Sequence, residues 1–546
     1  MTYSKLQYKL PLYIAISMAV GIVIGAMLSK KMLKKDATNK LANLVSLLGQ
    51  NYVDSINTDS LYQKYATTLT MQQDSTEAAT LQHILATLDP HSIYLNPQQL
   101  KQANEQMNGS FAGIGIEYII IQDTLTITNV LPTSPAAKAA LAIGDRIIKA
   151  QDSSLTTKQL GLEQLRGIFR GAAGSTIKLT VISNGILKQV VLTRDNIALT
   201  SIDASYMLTS SIGYIKLNKF SFVSYKECRD ALQQLTGSGM QQLVLDLRGN
   251  GGGSLRDACA LVDELLDSSK LITYTVGAHQ ARDETNCSYK GLFEKGAIAL
   301  LVDEQSASAS EVVAGALQDW DRATVIGRRT YGKGLVQRQY GLQDGSAVRL
   351  TIARYYTPTG RSIQKTYNGD ISNYYHEVQD RAKKNSLLNA DSNKLETGKI
   401  YTTKQGKKVY GGGGITPDIF IPIDTTVAYN KTLQKIVEKN IITQYSVQYY
   451  NTHKPEIIQY SSPKAFAENF KWSATELNQI ILVCAKDSIN WNMLSTAQKD
   501  YVLNRMKQYL AKYHWQINGY YTAYNLTDSG VLKAIQVLST KYSNNP

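Results

Sequence analysis

Between residues 240 and 330 the chain runs twice through one unit: a short apolar stretch, a cluster of small residues, then an amphipathic segment. In the first unit Gln242-Leu243-Val244-Leu245-Asp246-Leu247 leads into Gly251-Gly252-Gly253, and Leu255 to Leu266 follows with helical spacing. In the second, Ala297 to Val302 leads into Ser306 to Ser310, then Glu311 to Trp320, and Ala323 to Ile326 begins the next apolar run. Apolar runs this short, bounded by turn residues, read as strands buried on both faces. Strands that alternate with helices require a mostly parallel sheet covered by those helices, so residues 196 to about 370 read as an α/β layered domain.

The rest of the chain is too long to share that core. At 546 residues several domains are expected. Residues 36–104 read as a helical region, with apolar spacing in Leu41-Leu44-Leu47-Leu48 and Leu81-Ile84-Leu85-Leu88 that stops at Pro90. Residues 105–195 read as a small β domain. Its strands are Ile114–Ile121, Leu125–Val130, Arg146–Ala150, Ile177–Ile182 and Lys188–Leu192, with a short helix at Thr157–Phe169 and turns at Gly144-Asp145 and Asn184-Gly185. The core domain then extends over 196–425, with a polar excursion at 370–408 that reads as exposed. Gly411 to Ile419 is a turn into a last strand. Residues 426–546 read as a helical C-terminal domain, from periodic apolar positions such as Val502, Met506, Tyr509 and Leu510 and again from Val531 to Leu538.

The first 35 residues carry a localisation signal. Lys5 and Lys9 precede an apolar run from Pro11 to Leu28, and Lys30, Lys31, Lys34 and Lys35 follow it. Eighteen residues is just enough to cross a bilayer, and no clear cleavage pattern ends the run, so an uncleaved signal anchor is expected. The lysine balance by itself would keep the following domains inside the cell.

Composition excludes some classes. A net charge of +14 comes from scattered Lys and Arg with no nucleic-acid motif, so no nucleic-acid partner is expected; it reads first as a solvated basic surface and second as one drawn to anionic lipid. Cys228, Cys259, Cys287 and Cys484 lack metal or redox spacing, and the six histidines are scattered, so neither a metal nor a cofactor is expected.

Chemistry concentrates in three segments. In Ser306-Ala307-Ser308-Ala309-Ser310-Glu311 a serine sits where a strand turns into a helix, and the helix N-terminus favours developing negative charge, as an acyl-transfer nucleophile needs. Ser308-x-x-Glu311 is equally a capping box, and a serine there ordinarily caps. Lysine can serve as the base if burial lowers its pKa. Lys333, between Gly332 and Gly334, is the candidate, although such a lysine is more often a solvated turn residue. Gln337, four residues on, can orient it if both side chains lie on one side of the segment; taken alone it reads as an ordinary surface amide. Asp246 to Gly253 presents N–H groups at a turn that suit an oxyanion better than a phosphate, because no complete phosphate-loop pattern accompanies it. In the β domain, Phe111-Ala112-Gly113-Ile114-Gly115-Ile116 has N–H groups that would hold a peptide carboxylate at a sheet edge, or it is an ordinary glycine-bearing strand entry.

Taken together these segments resemble the carboxy-terminal processing (tail-specific) protease family of Ser-Lys peptidases. The resemblance runs from Leu88 to Asp424 through LDPHSIYL (88–95), FAGIGIEY (111–118), FRGAAGS (169–175), LVLDLRGNGGG (243–253), SASASEVVAGALQDW (306–320), TYGKGLVQ (330–337), ARYYTPTGRSIQ (353–364) and GGGGITPDI (411–419). It implies a multidomain α+β protein: a crotonase-like α/β layered protease core with an inserted PDZ-like β domain, preceded by N-terminal helices and followed by a helical C-terminal domain.

It further implies a serine endopeptidase that recognises C-terminal tails through its PDZ domain. The nucleophile falls on Ser308, the base on Lys333 and the supporting amide on Gln337. The oxyanion hole falls on the N–H groups of Ala309 and Gly252, the peptide loop on Phe111, Ala112, Gly113, Ile114, Gly115 and Ile116, and a regulatory arginine on Arg170. Substrates would be cell-envelope proteins with exposed C-termini, met outside the cytoplasmic membrane in the periplasm, against the simple lysine count. A homodimer or an adaptor protein is left open. Gly251 stands where many relatives have proline. Two other readings compete: a non-catalytic PDZ scaffold that binds C-terminal peptides, and a nucleotide-binding protein using the 249–253 glycines.

Overall fold

The computed structural model describes residues 40–71, 77–121, 123–155, 160–390, 399–425 and 430–543. The expected signal anchor over 1–35 lies outside the described residues. Among the described residues no helix is long and apolar enough to cross a membrane.

The core is a six-stranded sheet in the order Ile202–Met207, Ile212–Leu217, Gln242–Asp246, Ile298–Val302, Ala323–Gly327 and Ile419–Phe420. The first pair is antiparallel and the others are parallel. Gln242–Asp246 and Ile298–Val302 are buried throughout, as strands covered on both faces must be. Alternate side chains serve two cores. Leu243, Leu245 and Leu300 pack under the helices Ser224–Gly237, Leu255–Asp263 and Ala309–Asp319. Val244, Ala299 and Leu301 face the other way, against Val531, Ala534 and Leu538 of the last helix, Ser529–Ser543. The expected repeat of strand, turn and helix is present, with boundaries shifted by one to three residues.

A second, antiparallel sheet is organised around the long strand Ala347–Tyr356, which pairs with Ile93–Leu95, Leu271–Gly277 and Leu335–Gly341. The helical region at 36–104 thus joins the core through the strand Ile93–Leu95. It has helices over 40–51 and at Thr58–Met71, Glu77–Leu88 and Pro97–Asn108. Leu41, Leu44, Leu48, Leu81, Ile84 and Leu85 bury against Val348 and Leu350 of that strand.

The inserted β domain has the sheet order Ile116–Ile121, Thr124–Val130, Arg146–Ala150, Thr176–Ser183 and Ile186–Thr193, with the helix Leu162–Phe169 beside it. The strand read at 114–121 begins two residues later, as Ile116–Ile121, and a separate short strand, Ser110–Gly113, precedes it across Gly115, whose φ is +79°. The first piece pairs with Asp195–Ala198, so entry into and exit from the domain form a two-stranded ribbon.

Two further expectations change. The polar excursion contains the helix Ile371–Lys383, which buries Tyr374 and Arg381 against the core, and a hairpin of Ile400–Thr402 with Lys408–Tyr410. Polar composition concealed this because Arg381 is buried while donating to the carbonyls of Arg329, Thr330 and Tyr331. The C-terminal helices also divide. Those from Lys431 to about Ala523 share one core, with Val502, Met506 and Leu510 fully buried, whereas the last helix completes the core sheet.

Candidate active site

The carboxyl ends of Gln242–Asp246 and Ile298–Val302 open into two loops that meet, as expected for sites on parallel sheets. Asn250 fastens them. Its carbonyl accepts from Ala307 N–H at 3.0 Å and from Ser310 Oγ at 2.9 Å, and its amide Nδ2 donates to the Leu217 carbonyl at 3.0 Å. Ser306 Oγ donates to the Leu247 carbonyl at 2.9 Å. Of the three serines in the loop, the outer two are thus fully buried and bonded to the facing turn.

Ser308 differs from both. It is half-buried, with φ 56° and ψ −115°, a conformation rarely adopted by a residue with a side chain. It occupies the N-cap of Ala309–Asp319, yet its hydroxyl makes no cap bond. Only the reciprocal half of the capping box forms, with Glu311 Oε2 accepting from Ser308 N–H at 2.8 Å. The backbone thus presents an uncommitted hydroxyl at a helix N-terminus. Ala309 N–H, beside it, is among the helix's first donors, which have no intrahelical acceptor.

Gly252 packs directly against this corner. Its φ is +97°, and a Cβ there would lie 2.7 Å from the Ala307 carbonyl oxygen and 2.8 Å from Ser308 Cβ. Its N–H, expected in the oxyanion hole, donates to Asn250 Oδ1 at 2.9 Å. Among the described residues Ala309 N–H is the donor still open, and Gly252 N–H must exchange its partner to act.

Lys333 precedes the strand Leu335–Gly341. Its Nζ donates to Gln337 Oε1 at 2.8 Å, and Gln337 Nε2 donates to the His91 carbonyl, which settles which way the amide faces. Burial, reinforced by the Arg349 guanidinium and opposed by Asp89 and Glu311, lowers the Lys333 amine from 10.5 to about 8. Among the described residues no hydrogen bond joins this amine to Ser308 Oγ; the amine is turned to Gln337.

Backbone contacts nevertheless tie the two segments together. The fully buried Glu311 carboxylate accepts from Lys333 N–H at 2.8 Å through Oε2, and from Gly332 N–H at 2.7 Å and Thr330 Oγ1 at 2.5 Å through Oε1. Burial raises its pKa, and these donors hold it back. Tyr355 OH donates to the Lys333 carbonyl at 2.8 Å and to the Ser308 carbonyl at 3.1 Å. Sequence pattern marks Glu311 only as a cap and does not mark Tyr355, whose partners lie 22 and 47 residues away.

His91, in the LDPHSIYL stretch, has a positional task. Asp89 accepts from His91 N–H at 2.8 Å, Ser92 N–H at 2.9 Å and Thr351 Oγ1 at 3.0 Å, which sets the His91 carbonyl where Gln337 meets it. The imidazole contacts Tyr374 OH at 2.8 Å and is pushed down to about 3 by burial, with Lys333 and Lys365 adding to the effect. It is neutral at physiological pH.

In the β domain, Ile116–Ile121 is an edge strand, and Tyr118 meets Phe169 of the neighbouring helix with ring centroids 5.2 Å apart. The loop before it is shaped at Gly115, whose Cβ would lie 2.3 Å from Ser134 Cβ. Ala136 N–H and Leu131 N–H donate to the Ile114 and Gly115 carbonyls at 2.9 and 3.0 Å. Arg170 lies at the foot of the loop, its guanidinium 4.4 Å from the Phe111 ring centre and 3.0 Å from Glu105 Oε2. Among the described residues its side-chain partners belong to the domain and the helix leading into it, and Ser308 and Lys333 are not among them.

Residues 211–372 match peptidase family S41, residues 112–193 match the PDZ domain, and residues 432–516 match a family of unknown function, DUF8443. The chain is 33% identical over 331 residues to a carboxyl-terminal-processing protease of Synechocystis sp., an alignment covering 58% of this chain and 76% of that one. It is 35% identical over 283 residues to a carboxyl-terminal-processing protease of Picosynechococcus sp., covering 51% and 67%. Among solved structures, the photosystem II D1 C-terminal processing protease aligns with a TM-score of 0.41 and 23% identity over 71% of this chain and 93% of that one.

Proposed function

The chain belongs to the carboxyl-terminal-processing proteases of peptidase family S41, and from that premise we propose that Ser308 is its nucleophile, Lys333 its general base and Gln337 the amide that orients the base. It is a serine-type protease with a PDZ domain. The observation that carries the residue assignment is the state of Lys333: an amine lowered to about 8 and bonded to Gln337, on a segment that shares the Glu311 carboxylate with Ser308.

In this reading a substrate's C-terminal carboxylate docks at Phe111 to Ile116, and its backbone adds to the edge strand Ile116–Ile121. Neutral Lys333 leaves Gln337, takes the Ser308 proton, and the alkoxide attacks the scissile carbonyl. The oxyanion rests on Ala309 N–H and, once it has left Asn250 Oδ1, on Gly252 N–H. Lys333 then protonates the leaving amine, and water hydrolyses the acyl-enzyme. Arg170, stacked on Phe111 and paired with Glu105 of the helix leading into the domain, would report tail binding to the core.

Substrates are proposed to be cell-envelope proteins with exposed C-termini, met on the outer side of the cytoplasmic membrane, with the segment at 1–35 as the tether. A purified enzyme that cleaves tail-bearing peptides, and loses that activity on Ser308→Ala and Lys333→Ala, supports the reading. Cleavage by Ser308→Ala at the wild-type rate would overturn it. Tail binding by intact protein with no turnover would favour a scaffold instead. Comparison of envelope protein C-termini between wild-type and Ser308→Ala cells tests the substrate class.

A further inference from the structure

The turn that faces Ser308 is gripped at its first residue by the far end of the chain. Arg248 Nη1 donates to both carboxylate oxygens of Asp528, at 2.9 and 3.0 Å. The same guanidinium donates from Nε to Asp246 Oδ1 at 3.0 Å and from Nη2 to Asp246 Oδ2 at 2.7 Å. Arg248 is therefore forked between a carboxylate at the end of a core strand and one 280 residues beyond Arg248 itself.

Both carboxylates are themselves fixed. Asp246 is fully buried and receives the Tyr214 hydroxyl at 2.9 Å and Lys216 Nζ at 3.4 Å. Asp528 is buried at the start of the last helix, where its Oδ1 accepts from Val531 N–H at 2.8 Å. That helix is locked to the sheet by Val531, Ala534 and Leu538, and by Gln242 Nε2 donating to the Leu538 carbonyl at 3.0 Å. Gly530 makes room for the contact, since a Cβ there would lie 3.1 Å from Arg248 Nη1. The cluster sets Lys216 and Arg248 against Asp246 and Asp528, so losing Asp528 leaves one buried cation uncompensated.

The grip extends to the serine. The Arg248 N–H donates to Asp246 Oδ1 at 3.0 Å, and its carbonyl accepts from Lys216 Nζ. Two residues on, Asn250 holds the serine loop, and Gly252 abuts Ser308 and Ala309. We propose that Asp528 is a positioning residue for proteolysis: by clamping Arg248 it keeps the Arg248–Gly253 turn seated against Ser308, which makes the C-terminal region part of the catalytic unit. This inference rests on the reading of Ser308 as nucleophile and of the turn as an oxyanion donor.

The test uses the full chain, a fluorogenic peptide with a free C-terminus, and a peptide boronate whose tetrahedral adduct engages the oxyanion donors. For Asp528→Asn, kcat is expected to fall on the order of ten-fold, as a sub-ångström displacement of a catalytic turn produces. KM should stay within about two-fold of wild type, and boronate affinity should fall by the same factor as kcat. Asp528→Glu, which keeps the charge, should recover part of both. If Asp528→Asn is unfolded at the assay temperature, Asp528→Glu decides, with parallel losses in kcat and boronate affinity expected for its displaced carboxylate. Wild-type kcat and boronate affinity in the folded variant, or a loss confined to melting temperature, would overturn the proposal. Ser308→Ala is the control. Activity in that variant would remove the underlying mechanism, whereas an inactive Ser308→Ala beside a fully active Asp528→Asn would remove only the role of Asp528.

Discussion

Ser308 and Lys333 donate their backbone N–H groups to the same atom, Oε2 of Glu311, each at 2.8 Å. One carboxylate therefore sets the spacing of the two segments that carry the proposed nucleophile and base, and Tyr355 OH, bonded to both carbonyls, repeats the tie from the other side.

Glu311→Gln should disrupt that spacing. Both Glu311 oxygens accept, two donors each, so the amide NH2 of glutamine must face donors at one end. Each orphaned buried N–H costs about 1–3 kcal/mol. Denaturant unfolding should show a loss of this size together with a large fall in kcat; wild-type values for both would contradict the shared-acceptor account.

Lys333 titrates near 8 when folded against 10.5 for an ordinary lysine. Between those values the unfolded chain keeps a proton that the folded chain has released, so stability rises with pH across this window, and the cost of burying the amine is fully present below 8. Activity should rise with pH through about 8 and fall by about ten-fold per unit well below it. Lys333→Met should abolish turnover yet raise the melting temperature at pH 7. A pH-independent kcat/KM between 6 and 9 would exclude Lys333 as the base.

Gly252→Ala tests the oxyanion corner. The added methyl would meet the Ala307 carbonyl and Ser308 Cβ at a φ of +97°, so the serine loop must move. We expect kcat to fall about 100-fold or more, the range seen when an oxyanion donor is lost, with KM little changed. Steady-state kinetics on the folded variant decide this.

Gly115→Ala tests tail recognition. Its Cβ would lie 2.3 Å from Ser134 Cβ at a φ of +79°, displacing the N–H groups proposed to meet a substrate carboxylate. Loss of one charge-assisted hydrogen bond corresponds to about ten-fold or more in affinity. KM should rise accordingly for peptides with a free C-terminus and stay unchanged for amidated ones. An equal change for both would separate the loop from carboxylate binding.

Local pattern carried far into this protein. The apolar runs at 242–247 and 297–302 implied buried parallel strands, and the glycine and serine clusters after them marked where a site would open, because strand period, turn chemistry and helix start are properties of neighbouring residues. The four-residue spacing of Lys333 and Gln337 and the glycines of 111–116 allowed their proposed roles, but only the family resemblance singled them out over an ordinary turn lysine, a surface amide and a plain strand entry.

What neighbours could not determine is how the elements meet. The Ser-Ala-Ser-Ala-Ser stretch offers three equivalent hydroxyls. Burial against Leu247 and Asn250 occupies the outer two, and a positive φ presents the third. Nothing in residues 330–337 reveals that Lys333 is desolvated by strands and loops far away in the chain. Polar composition suggested that 370–408 is exposed, although buried carbonyls satisfy Arg381 there. Helical periodicity found the last helix but could not distinguish a bundle from the open face of the protease sheet, since an apolar stripe specifies burial without naming its partner. The sequence determined which elements form and which chemistry they carry. Only the tertiary structure decided which hydroxyl is uncommitted, which amine is desolvated, and that Asp528 closes on Arg248, because each depends on contacts between segments distant in the chain.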